Sequence, residues 1–198
     1  MTKIIGLTGG IGSGKTTIAN YLRSFGIPIY IADDEARQLM QSKEITVALE
    51  NTFGEAIFEN GILNREKLAA IVFNEPEKLE QLNAIVHPVV KRHFENWLTE
   101  NNKASYIIYE TAILFESGSY KKCDIIITVT APLETRVERV IKRDKTSREL
   151  ILKRIKAQWT DEQRISKSNF VIENSSLEVA KQKADEILKI LAITQKHC

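Results

Sequence analysis

Residues Gly9 to Thr16 read GGIGSGKT and match the pattern G-x-x-x-x-G-K-[ST]. The residue types at those offsets suit one chemistry, the holding of a nucleoside triphosphate. Glycines let the backbone turn until successive N–H groups point inward at phosphate oxygens, and a helix starting there adds the positive end of its dipole. Lys15 reaches the β- and γ-phosphates, and the Thr16 hydroxyl is placed to ligate Mg²⁺. The competing reading is a glycine-rich strand-to-helix turn that binds nothing. It would leave the lysine and the hydroxyl at the required offsets without a reason.

Such a loop is common to GTPases, motors, ATPases and kinases. A guanine-reading N-K-x-D sequence is missing, because the only Asn-Lys, in Asn102 to Ser105, lacks the aspartate and precedes a strand rather than following one. ATP-driven machines usually have larger cores, so a small-molecule kinase fits better. A kinase needs a group that takes or orients the acceptor hydroxyl's proton, and Asp33 and Asp34 follow directly on an apolar run at a strand end. One is expected to cap the next helix and one to act, with Asp33 the better placed to act. Glu110 closes the run YIIYE and has two readings, a partner of Mg²⁺ or an ordinary strand-end carboxylate. Arg136, Arg139, Arg143, Arg148, Arg154 and Arg164 lie in one charged helical segment. They read either as a solvated face or as a lid that brings guanidinium groups to the transferring phosphoryl group. His87, Trp97 and Trp159 read first as packing residues, with Trp159 a candidate for the nucleotide's neighbourhood.

These side chains need elements to carry them. KIIGLT reads as a strand before the loop, and KTTIANYLRSF reads as a helix after it, with Ile18, Leu22 and Phe25 at helical spacing and Gly26 as the stop. IPIYIA, SYIIYE, CDIIITVT and NFVIEN read as further strands, short and isoleucine-rich, as strands buried on both faces are. From about Ala36 to Thr99 the pattern is helical with no convincing strand. The last helix is expected to open on a capping box of Ser175 and Glu178 and to bury Leu177, Ala180, Ala184, Ile187, Leu188 and Leu191. The fold class expected is α/β, a P-loop-type parallel sheet of about five strands flanked by helices. One domain is expected, with a core of residues 1–33, 100–135 and 165–198, a helical acceptor insertion at 34–99, and a lid at 136–164.

Composition narrows the partners. With 198 residues, of which 43% are hydrophobic, the chain can bury a core. A net charge of +2, from 28 basic and 26 acidic side chains, advertises neither nucleic acid nor a membrane surface. Cys123 and Cys198 lack metal-ligand spacing and argue against a disulfide framework. The absence of a signal-like or spanning apolar run leads to the expectation of a cytoplasmic protein, taken to be a monomer.

Taken together, several segments resemble one family, dephospho-CoA kinase. They are IGLTGGIGSGKTTIANYL, ADDEAR, LNREKLAAIVF, LNAIVHPVV, AILFESG, KRD and RIKAQW, in that order over nearly the whole chain. The resemblance implies transfer of the ATP γ-phosphate to the ribose 3′-hydroxyl of dephospho-CoA, the last step of coenzyme A synthesis, with Mg²⁺. It implies that Gly9, Gly10, Ile11, Gly12, Ser13, Gly14, Lys15, Thr16 and Thr17 hold the ATP phosphates and that Asp33 receives or orients the 3′-hydroxyl proton. Arg65 and His87 would bind the acceptor in the helical insertion, Arg139, Arg143 and Arg154 would be lid cations, Gln158 would meet substrate, and Asn174 would lie near adenine. Three departures from the family pattern stand out: Ile31 replaces the first acid of D-A-D, Glu110 and Ala112 replace the aspartate and proline of D-x-P-L-L-F-E, and Asn169 replaces a frequent aspartate. A nucleoside or nucleotide monophosphate kinase and a non-catalytic nucleotide switch are the rival readings.

Overall fold

The computed structural model describes residues 2–72 and 75–195. Cys198 and Phe73, the last residue of LNREKLAAIVF, lie outside the described residues. In chain order the elements are β1 (Lys3–Thr8), α1 (Lys15–Arg23), β2 (Ile29–Ile31), α2 (Ala32–Leu39), α3 (Lys43–Phe53), β3 (Phe58–Glu59), β4 (Ile62–Leu63), α4 (Arg65–Val72) and α5 (Pro76–Glu100). There follow β5 (Tyr106–Glu110), β6 (Ile125–Thr130), α6 (Leu133–Asp144), α7 (Arg148–Lys156), α8 (Asp161–Ile165), β7 (Phe170–Glu173) and α9 (Leu177–Gln195).

Five strands form one sheet in the order β2, β5, β1, β6, β7, with every neighbouring pair parallel. Their isoleucines and valines fit this position, because a parallel sheet is covered on its faces and its strands need no polar side. Ile5, Leu7, Ile108, Ile127, Val129 and Ile172 join Ile18, Ala19 and Leu22 of α1 and Ala180, Ala184, Ile187 and Leu191 of α9 in one buried core. The central strand β1 therefore delivers the chain to the glycine loop at the carboxyl end of the sheet, where parallel sheets bind ligands.

The chain divides into two compact units at the junctions between Ile31 and Ala32 and between Glu100 and Asn101. The sheet unit holds the elements on either side of the division. The second unit, Ala32–Glu100, is helical and has its own core of Ile45, Leu49, Ile57, Leu63, Leu68, Val72, Val86 and Val89.

The structure corrects four local expectations. Residues 36–99 do contain strands, since β3 and β4 pair antiparallel, Phe58 with Leu63 and Glu59 with Ile62. Asn60 and Gly61 turn this hairpin with φ of 52° and 76°. Both central residues need positive φ in such a turn, and Asn-Gly is the pair best able to adopt it. The last helix is capped by Ser176, whose hydroxyl accepts from the N–H of Val179 at 3.3 Å, so the helix starts one residue later than a Ser175 cap requires. Leu177 then falls in the first turn, exposed, and off the buried face. Finally, α2 begins at Ala32, which puts both Asp33 and Asp34 inside its first turn; Asp34 accepts a hydrogen bond from Arg37 at 2.6 Å instead of capping.

Candidate active site

The glycine loop connects β1 to α1, and Gly14 occupies the helix N-cap with φ of 90° and ψ of 18°, a left-handed conformation that penalises any side chain. A Cβ at Gly14 would also collide with the Asn174 carboxamide, and one at Gly12 with the Arg136 carbonyl. The first turn of α1 leaves the N–H groups of Lys15, Thr16 and Thr17 without acceptors within the helix, a ready anion site. At the end of the neighbouring strand β5, Glu110 is 1% exposed. Its Oε1 lies 3.5 Å from Lys15 Nζ, and its Oε2 accepts from the Thr16 hydroxyl at 3.3 Å. A single carboxylate thus meets both the cation and the hydroxyl that the loop contributes. The register that sets Leu7 of β1 opposite Glu110 of β5 brings this about.

Behind the loop, side chains engage its backbone. The Ile11 N–H donates to Gln158 Oε1 at 2.9 Å, and the Ile11 carbonyl accepts from Arg136 Nε at 3.0 Å. The Ser13 carbonyl accepts from Asn174 Nδ2 at 2.8 Å and from Arg139 Nη1 at 3.4 Å, while Arg139 Nη2 donates to the Asn174 carbonyl at 3.2 Å. Arg139, Gln158 and Asn174 are therefore gathered at the loop. Arg143 and Arg154 are held together elsewhere, on Asp144: Arg143 Nε lies 2.6 Å from Oδ1 and Arg154 Nη1 lies 3.3 Å from Oδ2. The hydrogen bond from Arg143 is the main reason that the Asp144 carboxyl stays below its ordinary range, and the same bond raises Arg143. Both arginines are exposed.

In the helical unit, Asp33 is half-buried in the first turn of α2. Arg65, at the start of α4, and His87, in the middle of α5, both face solvent, so His87 is not the packed histidine that its apolar neighbours suggest. Trp97 does pack, on Phe94 with ring centroids 6.2 Å apart. Trp159, in the sheet unit, stacks on Phe115 at 5.2 Å. Burial pushes the Cys123 thiol up to about 12, which removes it from consideration as a nucleophile.

Two of the six arginines of the charged segment are buried, Arg136 at 6% exposure and Arg164 at 0%. Arg136 Nη1 meets Asp161 at 3.1 Å, and Arg164 meets Asp161 at 3.4 Å and Glu116 at 3.2 Å. Burial pulls the Arg164 pKa down, and the two carboxylates work against that pull. From their spacing alone these residues read as part of a solvated face or a lid. Only Asp161 and Glu116 as partners distinguish them, and nothing in the spacing reveals that pairing.

Among the described residues no group of three or more His, Cys, Asp or Glu side chains could enclose a metal ion. The oxygen pair of Thr16 and Glu110 fits Mg²⁺ nonetheless, because that ion usually takes one or two protein ligands and completes its shell with substrate phosphates and water. No helix among the described residues is long and apolar enough to cross a membrane.

A family model for dephospho-CoA kinase matches residues 3–179. The chain is 45% identical to a dephospho-CoA kinase of Fusobacterium nucleatum subsp. nucleatum, over 87% of this chain and 90% of that one. It is 40% identical to a dephospho-CoA kinase of Bacteroides fragilis, over 95% and 91%. A crystal structure from Thermus thermophilus superposes with a TM-score of 0.89 at 38% identity, covering 96% of this chain and 97% of that one. Shikimate kinase from Acinetobacter baumannii shares the P-loop kinase fold, with a TM-score of 0.56 at 15% identity. The chain belongs to the dephospho-CoA kinase family.

Proposed function

We propose that the protein transfers the γ-phosphate of ATP to the ribose 3′-hydroxyl of dephospho-CoA, giving coenzyme A and ADP. The observation that carries this reading is Glu110 set between Lys15 and Thr16 at the mouth of the glycine loop, in a chain of this family. Phosphoryl transfer asks little covalent chemistry of a protein; positioning and charge do most of the work. Backbone N–H groups from Gly9 to Thr17 hold the phosphates, and Lys15 places its ammonium on the oxygens that gain charge in the transition state. Asp33 accepts the proton of the attacking hydroxyl and keeps it aimed in line. Arg143 and Arg154 supply further positive charge from the lid once released from Asp144.

Arg139 and Asn174 sit beside the loop and are assigned to the nucleotide. Arg65 and His87 are assigned to the acceptor, as is Gln158 through the amide nitrogen that its bond to Ile11 leaves over. Thr16 and Glu110 would hold Mg²⁺, whose charge, when bound, neutralises the β- and γ-phosphate oxygens. The core at 1–33, 100–135 and 165–198, the acceptor insertion at 34–99 and the lid at 136–164 divide the work. A cytoplasmic monomer acting on two small-molecule substrates, without nucleic acid or membrane, suits the near-neutral charge.

The test offers the purified protein ATP with dephospho-CoA, adenosine, AMP or cytidylate and follows ADP release. Turnover with dephospho-CoA at least about tenfold above the others is the expected result. Preference for a nucleoside or a nucleoside monophosphate would replace the proposal, and absence of turnover with any acceptor would favour a nucleotide switch.

A further inference from the structure

Arg136 is the arginine of α6 that no step of phosphoryl transfer uses, yet it is the one most completely enclosed. Its Nε donates to the Ile11 carbonyl at 3.0 Å, and its Nη1 reaches Asp161 Oδ2 at 3.1 Å. The guanidinium also lies so close to Gly10 that a Cβ there would overlap it. Asp161 is fixed in turn: its Oδ1 takes Arg164 Nη1 at 3.4 Å, and Arg164 is tied to the Trp159 carbonyl at 2.5 Å and to Glu116 Oε1 at 3.2 Å. The Trp159 N–H closes the set on Glu116 Oε1 at 2.9 Å.

Stability alone gives no reason for such a cluster. Well-packed apolar side chains in place of a buried ion network are often neutral or stabilising, since desolvation offsets most of the attraction. Geometry gives a reason. In a trans peptide the C=O and the N–H point opposite ways, so a carbonyl held outward aims the next residue's N–H inward. Arg136 holds the Ile11 carbonyl and so aims the N–H of Gly12. Asn174 and Arg139 hold the Ser13 carbonyl and aim the N–H of Gly14. A charged donor on the oxygen also polarises the peptide and strengthens its N–H as a donor.

We infer that Arg136, clamped by Asp161, is a positioning residue for the phosphate cradle: it fixes the Ile11–Gly12 peptide so that the loop meets a nucleotide polyphosphate already in shape. This rests on the reading of Gly9 to Thr17 as the nucleotide phosphate site, and on nothing about the acceptor. The test measures binding of Mg·ADP and, separately, of dephospho-CoA to the full chain by calorimetry, with thermal melts alongside. Arg136→Met is expected to weaken ADP about tenfold, an effect of the size that small misplacements produce, while leaving dephospho-CoA within twofold. Arg136→Lys is expected to recover part of the loss, and Asp161→Asn, which leaves the guanidinium in place but loosens its hold, to weaken ADP about threefold. A lower melting temperature with ADP affinity within twofold of wild type in the folded variants would overturn the inference. If Arg136→Met does not fold, Asp161→Asn decides by the same threshold. A wild-type protein that binds ADP but does not phosphorylate dephospho-CoA would defeat the proposed function and leave this inference to stand or fall on the ADP affinities.

Discussion

The sheet unit and the helical unit treat their candidate residues in opposite ways. At the glycine loop the candidate groups are engaged: Glu110 between Lys15 and Thr16, the Ile11 and Ser13 carbonyls on guanidinium or amide donors, Asn174 at 3% exposure. In the helical unit the core is equally dry, but Arg65 and His87 stand on the surface, and ion pairs such as Arg92 with Glu44 and Lys67 with Glu59 are open to water. The difference suits the division of work proposed above. Transition-state charge is stabilised best by dipoles that need no rearrangement at the moment of reaction, whereas an acceptor can be gathered by side chains that order as it arrives.

Substitutions in the two units test that contrast. The largest effect is expected at the cradle: Lys15→Met should lower kcat about 10³-fold, measured by ADP release, and a loss under tenfold would mean the held cation is not at the reacting phosphate. Next comes the one residue of the helical unit given a chemical role. Asp33→Asn should lower kcat about 10²-fold while ATP affinity in a binding titration is retained; unchanged turnover removes the base from Asp33. Glu110→Gln should raise the Mg²⁺ concentration for half-maximal rate about tenfold, as loss of one oxygen ligand or its orienting partner does. A shift in that requirement too small to measure would return Glu110 to the ordinary strand-end carboxylate.

Smaller effects are expected from the exposed residues. Arg65→Ala and His87→Ala should each raise KM for dephospho-CoA about three- to tenfold and leave KM for ATP unchanged, since an exposed contact contributes modestly and to one ligand only. A change in KM for ATP would show that the two units do not divide the substrates. The smallest effect on nucleotide binding is expected from Leu49→Ala in the fully buried core of the helical unit. It should cost about 2–5 kcal/mol of stability, read by denaturant unfolding, with the ADP affinity of the native protein unaltered.

The same division marks what the sequence could disclose. β1, the glycine loop and α1 are contiguous, and a contiguous motif carries its own geometry, so the phosphate site is legible from Gly9 to Thr17. The parallel sheet is legible too, because isoleucine-rich runs such as SYIIYE have few other places to go. The hairpin at Asn60 and Gly61 carried a sequence signal that the helical periodicity around it masked. Arg136 and Arg164 carried none: their burial depends on Asp161 and Glu116, and Glu116 lies 48 positions from Arg164. The assignment of Arg65 and His87 to the acceptor, a proposal here, was legible only through the family resemblance, since an exposed arginine and an exposed histidine have no spacing that names a ligand.

In the proposed reaction the loop gives up the γ-phosphate it holds to one hydroxyl of one acceptor. Its most direct test is a single turnover with ATP labelled on the γ-phosphate and dephospho-CoA, followed by separation of the products. The label is expected in coenzyme A, at the ribose 3′ position, with none above background in inorganic phosphate. Label released as inorganic phosphate, or retained in ATP while dephospho-CoA is bound, would contradict it.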